Sequence, residues 1–126
     1  MTESERDQVA AAIRVAFDCY ETALMENDVD TLVGLFWQDA RTIRLVAGGG
    51  AYGINEIADF RNARDVSDIA RELLRVEIVV LSPDIGVATA EYRRLGSGRY
   101  GAQSQVWMLT ADGWRIASAH VSLSAQ

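Results

Sequence analysis

The chain contains no lysine. All 12 of its basic residues are arginine, set against 18 acidic residues and a formal net charge of −6. Schiff-base chemistry through lysine is thereby excluded. Every cation available for recognition is a guanidinium, a planar fork suited to two-bond capture of a carboxylate. A chain this acidic is repelled by phosphate backbones and anionic lipid, so neither nucleic acid nor a membrane surface is an expected partner. Cysteine and histidine occur once each, as Cys19 and His120. One cysteine makes no internal disulfide, and too few soft ligands exist for a structural zinc site. No metal and no other cofactor is expected. The single proline, Pro83, falls in a turn signal, where it interrupts no strand ladder. No apolar run approaches the roughly 20 residues that span a bilayer. The start, "MTESERDQ", is acidic and unlike a signal peptide. The expectation is a cytoplasmic protein.

What is present is enough apolar material for one core. Residues 1–126 are 49% hydrophobic, which predicts a single domain. Between Glu5 and Met25 apolar residues recur three or four apart at Val9, Ile13, Phe17, Tyr20 and Leu24, the stripe of an amphipathic helix. Asp28 is placed to cap a second, short helix carrying Leu32, Leu35 and Phe36. "ARTIRLV" (40–46) alternates like a strand, "AGGG" (47–50) reads as a loop, and a third helix is predicted from about Ile54 to Asp65. The second half changes character. Four strand-like runs follow, "ELLRVEIVVLS", "IGVATAEYRRL", "YGAQSQVWMLT" and "GWRIASAHVSL", broken at Pro83-Asp84, Gly96-Ser97-Gly98 and Asp112-Gly113. Helices followed by an antiparallel meander predict an α+β domain with the helices on one face of a curved sheet.

Taking Asp112-Gly113 as a two-residue turn pairs Leu109 with Ile116, Trp107 with Ser118, Gln105 with His120 and Gln103 with Ser122. All of these then share one face. The preceding hairpin adds Glu91 opposite Gln103, unless a one-residue slip turns it over. That face runs from tryptophan and leucine near the turn to Gln103, Gln105, Glu91, His120 and Ser122 far from it. Its polar end is expected to wall a small-molecule pocket, with apolar sides and a few convergent polar groups. A satisfied core histidine is the competing reading of His120. The opposite face (Ser104, Val106, Met108, Arg115, Ala117, Ala119 and Val121) suits a subunit contact.

"YETALMENDVDTLVGLFW", "YG" followed by "IxxFRxxR", and "QSQVWxxxxxGWRIxxAHVS" together resemble the AtzH-like (HpxZ-like) branch of the SnoaL-like, NTF2-like superfamily over residues 10–124. The resemblance implies a cone-shaped α+β barrel, three N-terminal helices packed on a mainly antiparallel sheet, and dimerisation through the outer sheet face. It also implies an enzyme acting on a small carboxylated amide or ureide-like compound, of the decarboxylating amide-hydrolase kind. The alternative is a non-catalytic ligand-binding or accessory subunit of an amidase system. By position the resemblance singles out Tyr20 and Arg44. Tyr20 lies on the apolar stripe, so its hydroxyl needs a partner whether it is a core tyrosine or a functional one. Arg44 sits between Ile43 and Leu45, and alternation alone leaves it either in solvent or in the pocket.

The expected catalytic set is therefore Tyr20, Arg44, His120 and Glu91, and the substrate-binding set Phe60, Arg64, Gln103, Gln105, Trp107 and Ser122. In this scheme Arg44 clamps a carboxylate, Tyr20 gives or takes a proton, and His120 with Glu91 orients or acts as a base pair. A Ser122–His120–Glu91 triad is disfavoured for want of an oxyanion hole. Two departures from the family pattern stand out: the uncharged "AGGG" before "YG", and Ala102 where an arginine precedes "QSQ". "AGGG" is no phosphate loop, lacking the lysine of that motif. Cys19, with no cation beside it, reads as an inert thiol.

Overall fold

The computed structural model of the chain describes residues 1–125. The first helix, α1, covers Glu3–Glu26. Thr2 and Glu5 close a capping box: the Thr2 hydroxyl accepts from the Glu5 amide at 3.0 Å and the Glu5 carboxylate accepts from the Thr2 amide at 3.1 Å. Its buried stripe is Ile13, Phe17, Tyr20, Ala23 and Leu24. Asn27 ends it in the left-handed conformation, and Asp28 at once caps α2, Val29–Gly34. The third helix, α3, covers Ile54–Ala63 and stops short of the expected Asp65, because the backbone at Arg64 is already extended (ψ 146°).

Six strands follow the order β2-β1-β6-β5-β4-β3 in one mixed sheet: β1 Ile43–Val46, β2 Gly49–Tyr52, β3 Arg71–Ser82, β4 Ile85–Arg94, β5 Tyr100–Thr110 and β6 Gly113–Leu123. Every neighbouring pair is antiparallel except β1 with β6. The expected barrel is corrected to an open sheet: β1 and β2, four residues each, end it on one side, and β3 ends it on the other. "AGGG" is likewise corrected. Only Ala47 and Gly48 form the turn, and Gly49 and Gly50 begin a strand opposite Val46 and Leu45. Glycine has no alternation to read, so β2 carries no period in the sequence.

Register decides which side chains meet. The β5–β6 turn lies at Ala111-Asp112, one residue earlier than expected, and Gly113 opens β6 with φ 109°. Leu109 therefore opposes Trp114, and Trp107 opposes Ile116. Next the register shifts by one: Val106 opposes Ser118, so Ala117 is an extra residue on β6. From there the faces of β6 exchange. Ala119 and Val121 turn inward opposite Gln105 and Gln103; His120 and Ser122 turn outward opposite Ser104 and Ala102. The β4–β5 hairpin also slips by one from the expected pairing, so Glu91 faces outward opposite Ala102.

The helices cover the inner face. Ile13, Phe17, Leu32, Phe36, Ile57, Ala88, Ala90, Trp107 and Ile116 form the core, each buried. Burying this apolar surface is what holds α1 and α3 over the sheet. Beyond the core, toward the far end of β4, β5 and β6, the covered face becomes polar.

Candidate functional site

That polar end is built from arginines. Tyr20 projects from the buried stripe of α1, and Arg61 from the buried arc of α3; the Arg61 Nη2 donates to the Tyr20 hydroxyl oxygen. Arg61 is 2% exposed, yet its Nε and Nη1 have no hydrogen-bond partner among the described residues. Arg44 comes from β1. It lies beside inward-facing Ala119, is 6% exposed, and its Nε is also without a partner. The Phe60 ring collects three guanidiniums, with Arg44 at 4.4 Å, Arg64 at 5.4 Å and Arg61 at 5.6 Å from its centroid.

Arg71 at the start of β3 behaves differently. It makes two hydrogen bonds to the Glu21 carboxylate, donates to Gln103 Oε1 at 3.0 Å, and covers the Tyr92 ring at 4.1 Å. Tyr92 has room to lie flat there because Gly101 has no side chain; a Cβ at that position would run into the ring. The Gln103 Nε2 is buried and unpartnered. Arg94 pairs with Asp68 at 3.8 Å.

The electrostatics follow from this crowding. Burial, and then the Arg61 charge, push the guanidiniums of Arg44 and Arg64 down to about 10. For Tyr20, burial opposes ionisation, but Arg61, Arg44 and Arg71 together outweigh it and hold the phenol below its ordinary value. A space of about 20 Å³ lies among Tyr20, Arg61, Arg71 and Gln103. It shares Arg44, Arg64, Tyr92, Arg94 and Val121 with a wider chamber of about 250 Å³ that also reaches Arg99. A third space of about 350 Å³ lies beneath the 47–50 hairpin. It adjoins the chamber at Arg44, Val46, Ala47 and Phe60, with Glu56 at its edge. The arrangement gathers guanidinium donors, which can receive an anion, beside a bare glycine wall. Among the described residues no group of three His, Cys, Asp or Glu side chains is placed to hold a metal ion.

Of the residues singled out in the sequence, the structure brings together Tyr20, Arg44, Phe60, Arg64 and Gln103. Gln105 and Trp107 share the inner face but sit in the core, where the indole Nε1 donates to Gln105 Oε1 at 3.1 Å; neither lines these cavities. His120 and Glu91 are corrected. His120 is exposed on the outer face, near Thr89 and Ser104, because of the extra residue at Ala117. Glu91 accepts from the Tyr100 hydroxyl on that same outer face. Ser122 also turns outward opposite Ala102, although it touches the rim of the chamber at the strand end. Ala119 and Val121, expected outside, face in. Four arginines that line these cavities, Arg61, Arg71, Arg94 and Arg99, were given no site role in the sequence reading. Arg61 was detectable, since it shares the arc of Ile57 and Phe60. Arg71 was not, since its partner Glu21 lies 50 residues away.

The profile of AtzH-like proteins matches residues 2–126. The chain belongs to the AtzH-like family. Among solved structures, this AtzH-like chain is similar to a protein of unknown function from Pectobacterium atrosepticum, with 42% identity, 99% of each chain covered and a TM-score of 0.91. A cystatin-like fold protein from Burkholderia xenovorans follows at 32% identity, 94% of each chain and a TM-score of 0.87. An NTF2-like superfamily protein from Salmonella enterica, at 23% identity over 95% of this chain and 94% of that one (TM-score 0.78), shows the shared fold. The AtzH-like fold is thus that of the NTF2-like superfamily. No functionally curated protein matches the chain. Among the described residues no helix is long and apolar enough to cross a membrane.

Proposed function

We propose that the chain is a small-molecule enzyme whose pocket takes a small carboxylated amide or ureide-like compound and hydrolyses it. The observation that carries this reading is the set of buried, unpartnered guanidinium donors on Arg44 and Arg61, next to Arg64. Buried polar groups without partners are costly, and buried cations more so. A ligand carboxylate meets both needs at once. Arg44 clamps the carboxylate through two parallel hydrogen bonds. The Gln103 Nε2 supplies a neutral donor to a carbonyl oxygen, and Tyr20 exchanges the proton that amide chemistry requires. The glycine wall leaves space for the uncharged remainder of the ligand.

The test is a thermal-shift screen of small mono- and dicarboxylates beside their neutral amides, with each stabilising compound then followed by NMR for turnover. Stabilisation by carboxylates and turnover of at least one carboxylated amide is the expected result. Stabilisation without any turnover moves the chain to the accessory, ligand-binding class. The absence of any carboxylate effect overturns the anion pocket itself.

A further inference from the structure

We propose that Arg61 holds Tyr20 as a phenolate in the ligand-free protein, so that Tyr20 is the pocket's proton acceptor and Arg61 the residue that positions and charges it. The acceptor role rests on the pocket being the reaction site; the ionised state does not.

The first ground is hydrogen-bond accounting. The Tyr20 oxygen accepts from Arg61 Nη2. A neutral phenol has a proton of its own to place, and a buried one without an acceptor is penalised. Among the described residues none of the groups around Tyr20 is placed to accept it. Arg61 and Arg64 from the α3 end, Arg44 from β1 and Arg71 from β3 are donors only. Gln103 from β5 turns its carbonyl oxygen to Arg71 and makes no hydrogen bond with Tyr20. Glu21, the neighbour on α1, is turned to Arg71 and receives two of its hydrogen bonds. From β4, Arg94 is a cation turned to Asp68, and the Tyr92 hydroxyl is directed to the Ser122 carbonyl at 3.5 Å. Among the described residues, the Tyr20 hydroxyl donates to nothing.

The second ground is charge. Arg71 is matched by Glu21 and Arg94 by Asp68. Arg44, Arg61 and Arg64 are left with no carboxylate partner among the described residues. Tyr20 is the one group touching Arg61 that is able to supply a negative charge. Releasing its proton to solvent removes the orphaned hydroxyl hydrogen and neutralises one of three uncompensated cations in a single step. The direction of the Tyr20 shift agrees with this. In a turnover, the phenolate oxygen takes a proton from the bound compound or a water and returns it from the neutral phenol, with no covalent bond to the enzyme.

The experiment is an ultraviolet difference titration of the ligand-free protein, following the phenolate band in the parent and in Tyr20→Phe. The parent should show one extra phenolate, ionised well below the ordinary tyrosine value of about 10. Tyr100 leaves that window clear, because its hydrogen bond to Glu91 moves it upward. Arg61→Met should carry the Tyr20 step upward by roughly one pH unit or more, and Arg61→Lys by less. If Arg61→Met does not fold, the parent against Tyr20→Phe still decides the ionised state, and Arg61→Lys decides the role of Arg61. A Tyr20 step at or above the ordinary value overturns the proposal. So does a step that stays put in a folded Arg61 variant. Both readings are made without ligand, so a chain that binds no carboxylate fails the proposed function while leaving this inference standing, and the reverse holds as well.

Discussion

Arg44 is a residue on which sequence and structure divide the work. Its resemblance-based role needed an inward side chain, and alternation left both directions open; the parallel pairing with Ala119 turns it in. If it clamps a carboxylate, Arg44→Lys should weaken carboxylate binding almost as far as Arg44→Ala, about 10- to 100-fold by calorimetry, because an ammonium cannot form the planar pair. Equal affinity in all three proteins places the carboxylate elsewhere. His120 is expected to behave in the opposite way. On the outer face it lies beside Thr89 and Ser104 and outside the lining of the arginine cavities, so His120→Leu should leave carboxylate affinity unchanged; a large loss would mean the bound ligand reaches the other side of the sheet. Tyr20 gives the pH dependence a sign. As pH falls through its lowered value, the phenolate gains a proton and has no charge left with which to take one from the bound compound. Turnover should therefore fall on the acid side, and Tyr20→Phe should flatten the profile. Rates at saturating compound across the pH range read that limb directly. Phe60, Arg64 and Gln103 were legible because each lies on a run with a clear period. Glu91 and His120 were misplaced because their faces depend on single-residue offsets that leave no compositional trace.

Elements were more legible than their pairing. α1, α2, α3 and the four long strands follow the hydrophobic periods and the capping and turn residues closely. What the periods do not contain is the phase between neighbouring strands. The two hairpin turns each formed one residue from the expected place, and Ala117 inserted an extra residue with no glycine to announce it. β2 was missed because half of it is glycine. One glycine on β5 is open to test. Gly101→Ala drives a methyl group into the Tyr92 ring on which Arg71 lies. It should cost about 1–3 kcal/mol in urea unfolding, as overpacked sites do. It should also loosen the Arg71–Gln103 contact and lower carboxylate affinity. A variant as stable as the parent would show that Tyr92 has somewhere else to go.

At the scale of the whole molecule, the outer sheet face is the surface that remains. Val79 and Leu81 on β3 are 56% and 61% exposed there, alongside Val87, Val106 and Met108. Apolar surface arranged on one flat face is costly to leave wet, and this face is expected to close against a second copy of the chain. Light scattering at micromolar concentration should give the mass of a dimer; a stable monomer removes the idea. The net negative charge sets a second whole-molecule behaviour, since the arginine pocket is a positive point in an acidic field, and added salt should weaken anion capture. The bulge at Ala117 reaches further than the strand it bends. β1 lies parallel to the part of β6 beyond the bulge, so Arg44 follows Ala119 inward and Leu45 follows His120 outward. The extra residue that sends the histidine out is thus the one that brings the arginine in. Two chemistries, one cationic and one built on imidazole, are written into alternate positions of the same strands. Taking one residue out at Ala117 makes the step from Ile116 to Ala119 an even one and keeps Ala119 and Arg44 inward on a regular strand; only flattening the bulge at full length would hand the cavity the imidazole instead.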